Sequence, residues 1–275
     1  MAVTLLILIL AGILIGGLLN ALADDLPQHE RPKWPHYPDG TPRPVSAWLG
    51  LTAFLLGQRR SPKGAKLGWR HPLTELATAA AFVVAYLATR DDAALTDLQF
   101  LFWLGYMAIF VLIVVIDVEH KLILFAVMIP AGIFAIVDAA LTPVTQYGPT
   151  LPEALIGGAA GFIGSYLLYL GGFLFIRISG RMRGHSIDEV AFGYGDVMMF
   201  TLSGLILGPL PLLFAAYITV FAGAVGAILF LLGRGLRRRG YNLFTALPYG
   251  PYIVLGTTIM LLFSEESMRI MGLRW

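Results

Sequence analysis

No cysteine occurs among the 275 residues, which excludes disulfides, thiolate metal sites and cysteine nucleophiles. Charge is scarce too. Asp, Glu, Lys and Arg make up 13% of the chain, where a water-soluble domain carries about a quarter. The sequence also lacks a phosphate-binding loop, a dinucleotide fingerprint, zinc-finger spacing and a convincing internal repeat. The net charge of +2 is too small to define a partner by itself. What the chain does have is apolar sequence: 57% of it is hydrophobic, the composition of an integral membrane protein.

Eight apolar segments are candidates for membrane spans, over residues 2–23, 72–90, 99–118, 122–141, 153–176, 195–208, 210–233 and 248–264. The expectation is an all-α, polytopic membrane protein with about eight transmembrane helices in a single domain, 1–275. The first segment lacks a basic flank and exceeds a usual signal core, so it reads as a retained helix although Ala21-Leu22-Ala23 resembles a cleavage site. The sixth is short as drawn, since crossing takes about 20 residues. Gly208-Pro209 marks the break before the seventh, with proline suited to a first helical turn.

Basic residues set the orientation. Strict alternation puts Arg31, Lys33, Arg43, Arg59, Arg60, Lys63, Lys66, Arg70, Lys121, Arg177, Arg181, Arg183, Arg234 and Arg237–Arg239 on one side, read as cytoplasmic. Only Arg90, Arg269 and Arg274 fall opposite. Both termini are then expected outside the cytoplasm. Arg237–Arg239 read as an anchor facing anionic lipid headgroups, with no nucleic-acid partner expected. The longest connection, 24–71, carries six prolines between Pro27 and Pro44, and its apolar stretch 45–57 is read as an interfacial segment.

Two aspartates stand in apolar surroundings, Asp117 in VLIVVIDVEH and Asp196 in AFGYGDVMMF. A carboxylate inside a membrane is costly and marks a functional site by default. The alternation places Asp117 near the cytoplasmic end of the third span and Asp196 near the cytoplasmic start of the sixth, at comparable depth. Two carboxylates sharing a proton separate into acid and base, the chemistry of an aspartyl peptidase. Gly193, Tyr194 and Gly195 offer an extended substrate backbone a close approach. Other readings stay open: helix capping for either aspartate, or proton or cation sites in a coupled transporter. Glu75 reads as orienting Arg70 or a helix end, Glu119 and His120 as turn residues, and Met198 and Met199 as packing. Asp138 falls toward the opposite face, and Glu189 has no assigned chemistry.

Gly193-Tyr194-Gly195-Asp196-Val197 and Ile116-Asp117-Val118-Glu119-His120 resemble the two catalytic aspartate motifs of the bacterial type IV prepilin peptidases, membrane aspartyl proteases. Arg70-His71-Pro72-Leu73-Thr74-Glu75 is similar to the family segment before the second helix. Gly16-Gly17-Leu18-Leu19-Asn20 with Leu26-Pro27 resembles the N-terminal motif, and Leu247-Pro248-Tyr249-Gly250-Pro251-Tyr252 the entrance to the last helix. The resemblance implies catalytic Asp117 and Asp196, with Gly193, Tyr194, Gly195, Glu75, Pro248, Gly250 and Pro251 supporting the site. It implies cleavage of the basic leader of type IV prepilin or pseudopilin precursors at the cytoplasmic face of the inner membrane. No cofactor is expected for proteolysis; S-adenosylmethionine is implied only where relatives also methylate the new amino terminus. Many members carry zinc-associated cysteine pairs in the first cytoplasmic loop. This chain has none there, so no metal is expected. Met198 stands where lysine is common, and the continuation around Leu124 and Phe125 is altered.

Overall fold

The computed structural model describes residues 1–92, 95–142, 148–183, 193–236, 248–264 and 267, with the side chains of 175–183 and 234–236 outside the description. The chain folds as two compact units, Met1–Val127 and Met128–Trp275. Among the described residues all regular structure is helical. Five helices are long and apolar enough to cross a membrane, starting at Ala2, Arg70, Asp97, Leu151 and Pro209. The protein is therefore an all-α, multi-pass membrane protein. Each of the other three apolar segments also forms a helix, of 17, 14 and 13 residues.

In the first unit α1 (Ala2–Asp25), α3 (Arg70–Thr89) and α4 (Asp97–His120) pack together. Gly12 and Gly16 lie four residues apart, on one face of α1. A Cβ on Gly16 would stand 2.5 Å from the Glu75 Cα, so the α1 and α3 backbones meet along this stripe. Phe82, Trp103, Tyr106, Ile113 and Ile116 fill the interior. Thr96 caps α4 by accepting the Gln99 N–H at 3.2 Å. Lys121 ends α4 in the left-handed region, φ 56°, and returns its N–H to the Asp117 carbonyl at 2.8 Å.

The connection from α1 to α3 is folded. It contains short 3-10 turns at Leu26–Gln28 and Val45–Ala47 and the six-residue α2 (Gly50–Leu55). Tyr37, Ala47, Ala53 and Leu67 form its own small core, with Phe54 packed against it. The stretch 45–57, read as one interfacial segment, thus divides into two turns of helix broken at Trp48-Leu49.

α5 (Phe125–Leu141), with Pro130 inside it, leads into the second unit. There α6 (Leu151–Arg183), α7 (Tyr194–Leu207), α8 (Pro209–Leu236) and α9 (Gly250–Leu262) pack on one another. Thr150 and Glu153 build a capping box at the start of α6: the Thr150 N–H reaches Glu153 Oε2 at 2.8 Å, and the Glu153 N–H reaches Thr150 Oγ1 at 3.4 Å. α6 and α7 touch backbone to backbone where Gly157 and Gly161 face Gly204 and Phe200. Gly208 closes α7 at φ 76°, a conformation open to glycine, and α8 starts at Pro209 as the sequence indicates. The buried hydroxyls of Ser203 and Thr257 bond at 2.7 Å, joining α7 to α9.

Candidate active site

Asp117 sits in the last turn of α4 and is 5% exposed. Three residues of that turn and its cap, Asp117, Glu119 and Lys121, bring charge to the end of a helix that is otherwise apolar. Arg70, the first residue of α3, reaches Glu119 Oε1 with Nε at 3.1 Å and bonds Asp24, near the end of α1, through Nη2. His71 Nε2 stands 3.3 Å from Asp24 Oδ2, and Arg43 Nη2 approaches the same oxygen at 3.6 Å. Asp25 draws in the connection as well: it accepts the Lys33 N–H at 2.6 Å and faces His36 Nε2 at 3.5 Å. The ends of three helices are thereby tied by one ionic cluster around the Asp117 turn.

Glu75, one turn further along α3, is fully buried, and its carboxylate is divided among three donors. Oε1 accepts the Gly50 N–H at 2.5 Å and the Asn20 amide at 3.3 Å; Oε2 accepts the Leu51 N–H at 2.8 Å. The α2 start is thus held by a carboxylate from another helix, and Asn20 also donates to the His71 carbonyl at 2.9 Å. Of the two roles read for it, orienting Arg70 or a helix end, Glu75 takes the second: it holds the start of α2, and with Asn20 it joins α1 and α2 to α3.

In the second unit Asp196 is in the first turn of α7. Its Oδ2 accepts the Gly193 N–H at 3.0 Å, and its own N–H reaches the Gly193 carbonyl at 3.1 Å. Gly193 is therefore the cap and Asp196 the third helical residue, so the alternative reading of Asp196 as an ordinary N-cap fails, although its carboxylate does accept the cap residue's N–H. Gly193 and Tyr194 are exposed, leaving this end of α7 open to an approaching chain. Tyr249 caps α9 and lies within electrostatic reach of Asp196. Tyr249 and Tyr252 place their rings against Gly223 and Gly226 of α8. Gly250 is buried and Pro251 stands in the first turn of α9. Within the Pro248 to Pro251 segment, Tyr249 is the residue with an electrostatic interaction with Asp196. Met199 is buried packing and Met198 half-buried. Glu189, Leu247 and Arg237–Arg239 lie outside the described residues.

Sequence reading missed Asp24, Arg43 and Asn20. The available signal was charge flush with apolar spans: Asp24-Asp25 at the end of one and Arg70-His71 at the start of the next. Among the described residues no group of three or more His, Asp and Glu is arranged to hold a metal.

The fold is that of a multi-pass helical membrane protein with carboxylates set at its helix ends, where charge is costly and marks a candidate site. A family model described as the type IV leader peptidase family matches residues 104–231, a stretch that includes both Asp117 and Asp196. The chain is 30% identical over 215 residues to the "Type 4 prepilin-like proteins leader peptide-processing enzyme" of Escherichia coli O78:H11, covering 78% of this chain and 66% of that one. It is 26% identical over 296 residues to the "Prepilin leader peptidase/N-methyltransferase" of Pseudomonas aeruginosa, covering 95% and 91%. The Bacillus subtilis protein of the same description is 23% identical over 220 residues, covering 79% and 76%. No solved structure matches the chain. This chain belongs to the type IV leader peptidase family.

Proposed function

We propose that this chain is an aspartic endopeptidase that removes the basic leader of type IV prepilin-like precursors at the cytoplasmic face of the inner membrane, with Asp117 and Asp196 as its catalytic pair. One observation carries this reading. Among the carboxylates of the family-matched stretch, Asp117 in the last turn of α4 and Asp196 in the first turn of α7 each stand within one of the two resembling motifs at an apolar helix end. Eight crossings, with residues 24–71 and 234–247 cytoplasmic and both termini outside, bring these turns to the same membrane face.

In the reaction, one carboxylate takes a proton from water, whose oxygen attacks the scissile carbonyl carbon. The other gives its proton to the carbonyl oxygen. Collapse of the tetrahedral intermediate breaks the C–N bond: the departing nitrogen takes the proton now held by the first carboxylate, and the second carboxylate regains one from a gem-diol hydroxyl. The titration belongs to the pair, so neither residue is a permanent base. The exposed Gly193-Tyr194 entrance to α7 accepts the substrate backbone in extended form. Glu75, Pro248, Gly250 and Pro251 support the site by holding helix starts.

The names of the Pseudomonas and Bacillus relatives include an N-methyltransferase; the resemblance implies that such an activity would methylate the new amino terminus with S-adenosylmethionine. The Asp24 and Glu75 carboxylates are engaged in holding helix ends together, while Asn20 Oδ1, Arg43 Nη1 and Arg70 Nη1 beside them are buried without a hydrogen-bond partner. With both carboxylates taken up by the chain's own donors, this cluster does not fit a methyl donor.

The test is cleavage of a membrane-presented prepilin read by mass spectrometry, with Asp117→Asn and Asp196→Asn beside the parent and liposome flux measured in parallel. Each variant should insert normally and lose about 10²–10⁴-fold or more in cleavage rate. Full cleavage by either folded variant removes that residue from the pair. Coupled ion flux without any leader product makes the protein a transporter.

A further inference from the structure

The family's cysteine pairs raise the question of what closes the first connection here. Two turns of the same construction stand in it. Tyr37-Pro38-Asp39-Gly40-Thr41 pairs the Tyr37 N–H with the Thr41 carbonyl and the Gly40 N–H with the Tyr37 carbonyl, each at 2.8 Å. Ser61-Pro62-Lys63-Gly64-Ala65 repeats this pattern, Ser61 N–H to Ala65 at 2.8 Å and Gly64 N–H to Ser61 at 3.0 Å. Both glycines have positive φ, 79° and 95°, which suits a turn of this kind. An antiparallel bridge flanks each turn, His36 with Pro42 and Arg60 with Lys66.

The turns meet through side chains. Ser61 Oγ donates to Asp39 Oδ2 at 2.5 Å, while Asp39 Oδ1 accepts the Thr41 N–H at 3.0 Å. Below them the Tyr37 ring is buried with Leu67, Ala47 and Ala53, and its hydroxyl donates to the Gln58 carbonyl at 2.9 Å. Arg59 lies over the Phe54 and Trp69 rings, 4.0 and 5.4 Å from their centres. A structural zinc site takes four nitrogen or sulfur donors. These turns offer one carboxylate, Asp39, and the hydroxyls of Tyr37, Thr41 and Ser61, with no nitrogen or sulfur ligand among them, beside Lys63 and Arg60. The nearby His36 ring faces Asp25 and the Trp34 carbonyl. The residues do not fit zinc.

We propose that residues 36–67 form a metal-free clasp, in which the Asp39–Ser61 bond and the Tyr37–Leu67 core join the two turns that a metal would otherwise hold together. The clasp has a second task. It delivers Arg43 to Asp24 and α2 to Glu75, so it keeps the connection docked on the helix ends that flank the Asp117 turn. The Ser61 hydroxyl holds the Asp39 carboxyl below the usual aspartate range, with help from the Thr41 N–H and the Lys63 charge. A lowered native value keeps this contribution whole above about pH 4, and it fades only as pH falls through that lowered value.

The experiment uses the full chain in detergent micelles and does not read leader cleavage, so it is independent of the peptidase reading. Trypsin nicking at Arg59, Arg60, Lys63 and Lys66 is timed by mass spectrometry with and without chelator, and zinc is measured by elemental analysis. The parent should hold no stoichiometric zinc and resist trypsin equally under chelation. Asp39→Ala, which also releases the Thr41 N–H, and Ser61→Ala, which also releases the Lys63 and Ala65 N–H groups, should each speed nicking about fivefold or more, with the double variant falling well short of the product of the two because their mutual bond is lost only once. Helical circular dichroism should stay at the parent value in all three. One zinc per chain, chelator-induced nicking, unchanged rates in the variants, or multiplying effects in the double variant would each overturn the clasp.

Discussion

Arg70 and Glu119 form an ion pair, Nε to Oε1 at 3.1 Å, that ties the first residue of α3 to the turn of α4 carrying Asp117. Because the same guanidinium bonds Asp24, Arg70 joins three helices at one end. Its removal would leave two carboxylates without their shared cation. Loss of one partner from a buried pair costs about 3–5 kcal/mol. Arg43 and His71 remain beside Asp24 and the cluster is partly solvated, so Arg70→Met should cost about 2 kcal/mol. Thermal unfolding in micelles should show the loss, and Arg70→Lys should recover only part of it, since an ammonium cannot span both partners in the same fork. An unchanged midpoint in Arg70→Met would contradict the bridging role.

Glu75 shows how a carboxylate can be structural inside a membrane protein. Glu75→Gln keeps the size but turns one oxygen into an N–H₂ group, which must face either the Gly50 or the Leu51 N–H. Two donors then meet in a buried place, a loss of about 2 kcal/mol. The expected signature is faster trypsin nicking of the 24–69 connection in Glu75→Gln. Nicking at the parent rate would show that α2 is held by something else.

The α6–α7 seam supplies a paired test within one helix. A Cβ at Gly157 would press into the Gly208 backbone at 2.7 Å, whereas at Gly164 it would meet nothing within 4 Å. Gly157→Ala should destabilise by about 1–3 kcal/mol through overpacking. Gly164→Ala should be neutral or stabilising by about 0.5–1 kcal/mol, because glycine is a weak helix former. Thermal midpoints that move alike in the two variants would mean the seam is not the close contact described.

Since the chain has no cysteine, single cysteines report orientation without background. Lys63→Cys and Arg90→Cys should label from opposite faces of oriented vesicles, Lys63 from the cytoplasmic one. Labelling from the same face would overturn the proposed orientation.

Much of the helical framework was legible because apolar length and turn chemistry act locally. The Gly208-Pro209 break needed only proline's fit to a first turn, and α7 at Tyr194–Leu207 lies one residue from the stretch read in sequence. α6 ran past its expected end at 176 to Arg183, because arginines continue a helix into water as readily as apolar residues do in lipid. The partners of Glu75 were not legible. Nothing near it in sequence says that the N–H groups of Gly50 and Leu51, more than twenty residues earlier, return to it. The Asp39–Ser61 bond was hidden for the same reason: hydroxyl and carboxylate meet only after both turns have formed.

The 14 residues of α7 give a rod about 21 Å long, against a hydrocarbon layer of about 30 Å. A helix so short cannot keep both ends in the headgroups of an undisturbed bilayer. Either lipid thins beside it or water follows its Gly193 end inward. If α7 is one of the proposed eight crossings, water reaches the Asp196 carboxylate through a shortage of helix, without any channel having to be built for it. Hydrolysis inside a membrane needs a water molecule as much as it needs an acid, and bilayer thickness then becomes a variable of the chemistry.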